Sequence, residues 1–438
     1  MPDIKKELYE LLAPIGQTHL LADAQQWEPE QLQSLKQELR HLDLHLLCHQ
    51  QQIIRSPNPS APFYPPLAEA AHCGSQQDFL LGQELMHQGK CGCVVLAGGQ
   101  SSRLRLSGPK GCVPVSLVRH QSLFALLAEK VVSASAQVGY PLPLAIMTST
   151  ANRIEAETFF IKNKYFGLQP SQISFFSQRV WPLLSFSGDL LLSTPGRLAV
   201  GPNGNGDFFK QFVVNGIWKE WADQGVEIVR VMPIDNPLAL PFDSELFGFH
   251  HRLSNDVSIQ AIARLSKEEK AGTLVSMQEK VGVVEYGESP APEKGFANIG
   301  LYAFSMPWVQ TISQVEMPLH PAMKAIKTYQ DAEVPKHPNV WKFEEFIFDA
   351  FCYAQKSEAL VYDREHCFAP LKNVEGEDSL SQVQAAILAH ERWLYEQRLG
   401  KAPPAEAVFE LSSDFYYPTE EKLKKLKEAS FVPGAFIS

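Results

Sequence analysis

The spacing of apolar and polar positions differs between two parts of this chain of 438 residues. Residues 3 to 54 carry apolar positions at helical spacing, in LYELLAPI and EQLQSLKQELRHLDLHLLCHQQQ, which predicts amphipathic helices. The proline-rich segment PNPSAPFYPP, residues 57 to 66, follows and cannot continue a helix. From about Lys90 onward, short apolar runs alternate with helical stretches. This alternation is typical of an α/β fold that is doubly wound around a largely parallel central sheet.

The predicted sheet is built from five apolar runs with helices between them. The strand candidates read CVVLAG, PLAIMTS, ISFFSQ, EIVRVMPID and VSIQAIA. The helices are predicted near residues 121 to 137, 151 to 161 and 207 to 223. After residue 375 a helix, a short strand (AVFEL) and a lysine-rich helix predict a small C-terminal element. We therefore predict an N-terminal helical segment with its connector at 1–85, the α/β domain at 86–375 and the C-terminal element at 376–438.

Polar or glycine residues stand where four of these strands end. They are Gly98 and Gly99 at the first, Thr148 and Ser149 at the second, Gln178 at the third and Asp235 at the fourth. In doubly wound sheets, ligands bind beyond the carboxyl ends of the strands. The sequence therefore predicts a functional site at this edge of the sheet.

Composition narrows the class of protein further. The net charge is −10 and no run of five or six basic residues occurs, so a broad nucleic-acid-binding surface is not expected. Seven scattered cysteines, an odd number, indicate reduced thiols rather than a disulfide framework. The N-terminus is charged and no stretch of 18 apolar residues occurs, so neither a signal peptide nor a membrane span is predicted. We expect a cytoplasmic protein.

The segment VVLAGGQSSRLRLSGPKGCV, residues 94 to 113, contains the richest candidate chemistry. An apolar strand runs into paired glycines, whose loop can point backbone N–H groups at phosphates, while Arg103 and Lys110 supply positive charge. Gly98 and Gly99 are adjacent, and Lys110 comes eleven positions after the second, so neither a Walker loop nor G-x-G-x-x-G fits. A glycine pair alone would indicate an ordinary turn, but the added cations favour a polyphosphate site.

This loop resembles the signature of sugar nucleotidyltransferases, L-x-G-G-x-G-T-R-L followed by P-K. Further blocks, between about residues 90 and 375, resemble the UDP-N-acetylhexosamine pyrophosphorylase branch of the uridylyltransferases. They read LAGGQ, PKG, IMTS, KYFGL, FFSQ, PLLSFSG, PNGNGDF, IDN, GVVEYGES, ANIG, KFEEFIFDAF and FAPLKN. The resemblance implies the Rossmann-like fold of nucleotide-diphospho-sugar transferases. It also implies a reaction of UTP with a sugar 1-phosphate, most readily N-acetylglucosamine 1-phosphate, that yields UDP-sugar and pyrophosphate.

The resemblance assigns roles at the phosphate and uridine sites as well. The residues implied are Arg103, Lys110 and Lys372 for catalysis at the phosphates, and Ala97, Gly98, Gly99, Gln178, Gly204 and Asn205 for UTP and its uridine. An amide offers both a donor and an acceptor to a pyrimidine edge, and a glycine lets the base approach the backbone closely. Without the resemblance, the Asn-Gly turn at 203 to 206 would indicate a surface turn.

The metal and the sugar are implied in the same way. Asp235 would hold a divalent cation between the phosphates, and Mg2+ suits this because it combines one or two carboxylates with phosphate oxygens. Gly272, Glu285 and Asn298 would meet the hexose. Gly295 stands where N-acetylglucosamine enzymes of this type usually have the first asparagine of N-A-G-N-I. Glucose 1-phosphate is therefore a competing substrate.

Two other classes of function stay open. A catalytically silent relative that binds a nucleotide sugar would share the fold, and Ser101-Ser102 replaces the Gly-Thr of the signature. The retained lysines, Gln178 and Asp235 favour an enzyme. A redox enzyme with a nicotinamide cofactor is the other alternative for a doubly wound fold, but the chain lacks the glycine pattern that such enzymes use in their first turn.

Overall fold

A computed structural model of the chain describes residues 2–56, 64–67, 72–99, 104, 108–278, 280–287, 292, 294–428, 431–432 and 434–438. The chain forms two compact units. The first comprises Met1–Pro62, Gln178–Asp207 and Glu316–Asp349, and the second comprises Phe63–Ser177, Phe208–Val315 and Ala350–Ser438.

The first unit contains the N-terminal helices and short antiparallel strand pairs. The helices are α1 (Pro2–Leu12), α2 (Pro29–Arg40) and α3 (Leu44–Arg55). The strand pairs are Val180–Pro182 with Val200–Pro202, Leu192–Thr194 with Arg197–Leu198, and His320–Lys324 with Val340–Glu344. Leucines of all three helices share one apolar core with Trp181, Leu190 and Phe343. The apolar faces of the N-terminal helices are therefore buried against segments that lie far away along the chain.

These units have other boundaries than the three consecutive segments predicted at 1–85, 86–375 and 376–438. The N-terminal helices belong to one unit with two segments from inside the predicted α/β domain. The C-terminal residues from 376 onward belong to the same unit as the central sheet. Helical periodicity reveals which face of a helix is buried, but not which distant segment covers it.

A ten-stranded sheet forms the centre of the second unit. Its strands are β1 (His72–Cys73), β2 (Cys91–Leu96), β3 (Leu144–Ser149), β4 (Ile173–Gln178), β5 (Ile228–Pro233), β6 (Val257–Ala263), β7 (Thr273–Met277), β8 (Lys280–Val284), β9 (Phe296–Ser305) and β10 (Ser357–Tyr362). The order along the sheet is β1-β10-β6-β9-β5-β2-β3-β4, and β7 pairs with β8 and β9. All five predicted strands are present in it.

The sheet is mixed, with parallel pairs on both sides of one reversed strand. Strand β2 is parallel to β3 and β5, and β10 is parallel to β1 and β6. Strand β9 runs antiparallel to β5 and β6. The expected α/β class with a largely parallel centre is confirmed, although the sequence pattern did not reveal β9.

Helices cover the strands of this unit. They are α4 (Gln76–His87), α5 (Leu123–Val138), α6 (Arg153–Lys162), α7 (Phe208–Val214), α8 (Ile217–Asp223), α9 (Ser244–Leu253), α10 (Met306–Ile312), α11 (Arg364–Cys367), α12 (Leu380–Leu399) and α13 (Glu420–Glu428). The helix predicted at 207 to 223 is two helices, because Gly216 adopts φ +80° between α7 and α8. Such a left-handed residue interrupts helical hydrogen bonding. Among the helices of the described ranges, none combines the length and the apolar character that crossing a bilayer requires.

Candidate active site

A partly buried ion pair lies beyond the ends of the two central parallel strands. Strand β2 ends at Leu96, which pairs with Pro233, the last residue of β5. Asp235 follows two residues later, and Lys110 lies in the turn after Pro109. The Lys110 Nζ donates a hydrogen bond to the Asp235 Oδ2 at 3.1 Å, and the two side chains are only 15% and 18% exposed. The sequence places these residues 125 positions apart, and the sheet brings them together.

The loop that carries Lys372 is fastened to the same strand end. The Leu371 N–H donates to the Asp235 backbone carbonyl at 2.8 Å. The Asn236 side chain adds two hydrogen bonds, since its amide donates to the Cys367 carbonyl at 2.7 Å and its oxygen accepts from the Ala369 N–H at 3.1 Å. The Asn236 side chain therefore links the strand end to the loop that carries Lys372. These three hydrogen bonds join the IDN and FAPLKN segments.

Asp378 completes a cluster of two lysines and two carboxylates. The Lys372 Nζ lies 3.6 Å from the Asp378 Oδ2, and the Lys372 N–H donates to the Asp378 carbonyl at 2.8 Å. Burial raises the pKa of Asp378 above its ordinary value; the nearby Lys372 lowers it, while the charges of Glu377 and Asp235 raise it further. Sequence reasoning missed Asp378, because an aspartate in NVEGEDS carries no local signal that separates it from a surface loop residue.

The donor atoms of this cluster suit a hard cation. Asp235 and Asp378 provide carboxylate oxygens, the ligand type that Mg2+ prefers. Within the described residues, no group of three or more His, Cys, Asp and Glu side chains is placed to hold a metal ion. Mg2+ does not need such a group when phosphate oxygens and water supply its remaining ligands. The residues present therefore fit a cation that binds together with a phosphorylated substrate.

The glycine loop begins beside the ion pair. Ala97 and Gly98 are buried and Gly99 is exposed, and the Ala97 N–H donates to the Met147 carbonyl at 2.7 Å. Past Gly99, the chain is described again at Leu104 and from Gly108 onward. Arg103 and the serines at 101 and 102 lie outside the described residues, so the predicted role of Arg103 stays a prediction.

The residues predicted to contact uracil belong to the first unit. Gln178 is buried at the end of β4, and the neighbouring Arg179 N–H donates to the Asp207 Oδ2 at 2.7 Å. The Asn205 Oδ1 accepts from the Ile347 N–H at 3.0 Å. These bonds shape the PNGNGD turn and its neighbours, and the uracil contacts themselves stay predictions.

Gly204 adopts φ +98°, and a Cβ there would overlap the Glu345 carbonyl and lie 2.8 Å from the Glu345 nitrogen. We expect Gly204→Ala to lower the free energy of unfolding by about 3 kcal/mol, from the left-handed backbone and the overlap together. Gly16→Ala is the matched control, because Gly16 has φ +71° and its Cβ would meet no described atom within 4 Å. Gly16→Ala should lower the free energy of unfolding by only about 1 kcal/mol. Equal losses in urea titrations of the two variants would contradict the close approach at Gly204.

The residues predicted for the sugar lie together in the second unit. The Asn298 N–H donates to the Gly272 carbonyl at 2.8 Å, and Glu285 follows β8, whose Val284 pairs with Thr273. The Asn298 Oδ1 accepts from the Tyr302 hydroxyl at 2.9 Å and from the Gly300 N–H at 3.1 Å. These two donors fix the orientation of the Asn298 amide.

A cavity of about 160 Å³ lies next to this group, and Glu285 is among its lining residues. Gly295 has φ +145°, which an asparagine adopts only with strain. The backbone at Gly295 therefore has a conformation that favours glycine.

Fold and site together define an α/β protein with a cluster of two lysines and two carboxylates near the carboxyl ends of its strands. Residues 75–430 match the family described as UTP--glucose-1-phosphate uridylyltransferase. The chain belongs to this family, which confirms the resemblance found in the sequence.

Individual relatives agree with this assignment. The chain is 32% identical over 317 residues to the "Probable UDP-N-acetylglucosamine pyrophosphorylase" of Schizosaccharomyces pombe, covering 65% of this chain and 67% of the relative. It is 31% identical to the UDP-N-acetylglucosamine pyrophosphorylase of Saccharomyces cerevisiae, covering 68% and 67%. The crystal structure of the uridine diphosphate N-acetylglucosamine pyrophosphorylase from Trypanosoma brucei superposes with a TM-score of 0.77, at 20% identity, over 99% of this chain and 98% of that one. That similarity establishes the fold.

Proposed function

We propose that this chain transfers the uridylyl group of UTP to a hexose 1-phosphate, and that N-acetylglucosamine 1-phosphate is the preferred acceptor. The observation that supports the reaction best is the cluster of Lys110, Asp235, Lys372 and Asp378 at the ends of β2 and β5. The names of the relatives in the two yeasts support the choice of sugar.

In the proposed reaction, a phosphate oxygen of the sugar 1-phosphate attacks the α-phosphorus of UTP in line. A new P–O bond forms, the bond from the α-phosphorus to the bridging oxygen breaks, and pyrophosphate leaves with that electron pair. The attacking phosphate is already anionic, so no protein nucleophile is required. Lys110 and Lys372, with Arg103, would neutralise charge on the phosphates, and electrostatic preorganisation of this kind is a large term in catalysis.

Mg2+ is part of this proposal. Asp235 would hold it, with Asp378 as the second carboxylate of the cluster. When bound, the ion would supply neutralisation of phosphate charge. The same proposal assigns Ala97, Gly98 and Gly99 to the phosphates of UTP, Gln178, Gly204 and Asn205 to the uracil, and Gly272, Glu285 and Asn298 to the hexose.

A cytoplasmic location also belongs to the proposal. Cys48, Cys91, Cys93, Cys112 and Cys367 are described with free thiols. Unpaired thiols of this kind support a reducing compartment.

A parallel assay of three acceptors tests the choice of sugar. With UTP and N-acetylglucosamine, N-acetylgalactosamine or glucose 1-phosphate, we expect kcat/KM to be about tenfold or more higher for N-acetylglucosamine 1-phosphate than for glucose 1-phosphate. The measurement is pyrophosphate release. Glucose 1-phosphate is the competing candidate because Gly295 replaces the asparagine associated with the sugar pocket. A preference for glucose would overturn the sugar assignment, and no release with any acceptor would favour a silent nucleotide-sugar-binding relative.

A further inference from the structure

A buried lysine from helix α5 holds the segment that follows Asp235. Lys130 is only 5% exposed. Its Nζ donates to the Pro237 carbonyl at 2.6 Å and to the Ala239 carbonyl at 3.2 Å. Pro237 comes directly after the Asp235-Asn236 pair, so the ammonium group fixes the backbone that carries the Asp235 carboxylate. Burying an ammonium group costs free energy unless its hydrogen bonds are satisfied, and here two carbonyls accept hydrogen bonds from it.

The C-terminal element surrounds this ammonium group. The Lys130 Nζ lies 4.5 Å from the centre of the Tyr416 ring, a cation–π distance. Burial lowers the pKa of Lys130 to about 7, and the nearby Glu391 of α12 acts in the opposite direction. Glu391 is 4% exposed, and burial raises the pKa of its carboxyl group well above its ordinary value. The Glu391 carboxylate is itself held by the Leu411 N–H at 3.0 Å. Two segments of the C-terminal element, around Glu391 and Tyr416, therefore lie next to Lys130.

A second contact ties the C-terminal element to the segment before α5. The Glu410 side chain is buried and accepts from the Arg119 Nε at 2.7 Å. It also accepts from the backbone N–H groups of Val118 and Arg119, at 3.2 and 2.9 Å. A carboxylate with three donors in the interior holds its partners in one arrangement. The C-terminal element is therefore fastened to the segment before α5 as well as to Lys130.

We infer that Lys130 is a positioning residue for the active site, and that the C-terminal element serves catalysis by holding Lys130 against the Pro237 and Ala239 carbonyls. Its action passes through the backbone to Asp235, whose partners are Lys110 and the loop that carries Lys372. A shift of a reacting group by about 1 Å is enough to lower turnover strongly. The catalytic part of this inference rests on the proposed function, and the structural part does not.

Lys130→Met tests the inference with two measurements. We expect kcat for pyrophosphate release to fall about tenfold while the KM for UTP stays within about twofold, because the uridine contacts are untouched. Hydrogen–deuterium exchange in a peptide covering residues 235–240 should become about tenfold faster, with exchange in β3 (Leu144–Ser149) unchanged. If wild-type protein releases no pyrophosphate, the proposed function fails, while the exchange measurement still decides whether Lys130 holds this segment.

Three further variants separate positioning from folding. Lys219 is exposed, so Lys219→Met controls for the loss of a lysine and should leave both measurements unchanged. Lys130→Arg keeps the charge and the donors and should recover part of kcat. The double variant Lys130→Met/Glu391→Leu removes both buried ionisable groups, and we expect it to fold as a stable protein that still has the low kcat and the fast exchange. Wild-type kcat in the double variant, or unchanged exchange in Lys130→Met, would overturn the inference.

Discussion

Replacing Lys110 by alanine is expected to lower the rate of UTP-dependent pyrophosphate release about 10²- to 10³-fold, the range seen when a preorganised electrostatic donor is removed. Lys110 pairs with Asp235 at 3.1 Å at the ends of β2 and β5, and the proposed reaction places the charged phosphates there. Melting temperature should change little, because the ion pair is small compared with the apolar core of the sheet. Steady-state kinetics with saturating UTP gives the rate.

A second lysine–carboxylate pair provides a matched control for this variant. Lys90 and Glu227 pair at 2.9 Å just before the starts of β2 and β5, so the same two strands carry one pair at each end. Lys90→Ala should keep kcat within about twofold, since ligands of doubly wound sheets bind at the carboxyl ends. If Lys110→Ala retained nearly the wild-type rate, the assignment of the glycine loop and its lysine to the phosphates would be wrong.

Asp235→Asn is expected to have an effect of similar size, about 10²-fold or more on turnover, because it removes the charge proposed to hold Mg2+. The amide keeps the shape of the side chain and its oxygen still accepts from Lys110, so the fold should remain. Turnover should be measured over a series of Mg2+ concentrations, and excess chelator should abolish it in the wild type. We expect the turnover of Asp235→Asn to stay low at every Mg2+ concentration of the series.

Glu227→Gln controls for the loss of one carboxylate at the other end of the same strand pair, and its Mg2+ dependence should match the wild type. A wild-type rate in Asp235→Asn would exclude Asp235 as the metal ligand. Full wild-type activity in excess chelator would instead exclude Mg2+ from the reaction altogether.

Local patterns predicted the strands of the central sheet well. Strands buried on both faces read as short apolar runs, and CVVLAG, PLAIMTS and EIVRVMPID correspond to β2, β3 and β5. The glycine pair and Asp235 were therefore located correctly at strand ends. Strand β9 was missed because FANIGLYAFS contains glycine and asparagine and lies outside the alternation of strand and helix.

Features that depend on packing between distant parts of the chain could not be predicted from the sequence. The break at Gly216 between α7 and α8 depends on one glycine adopting a left-handed conformation, which an otherwise helical stretch does not reveal. Asp378 is recognised as part of the cluster only by its contact with Lys372 and by the electrostatic effect of Asp235 on it, and no residue type or spacing in NVEGEDS indicates it. Lys130 reads as an ordinary polar position in a helix until its burial is known.

The sequence by itself determined the α/β class, the edge of the sheet that carries the candidate site, and a family resemblance carried by short blocks in one order. These features depend on local burial and turn chemistry, which residue order contains directly. Only the tertiary structure decided that Lys110 meets Asp235 across 125 residues, that Asp378 joins them, and that Lys130 holds the adjoining backbone. Such pairings depend on how separate elements pack, and packing is a property of the whole chain.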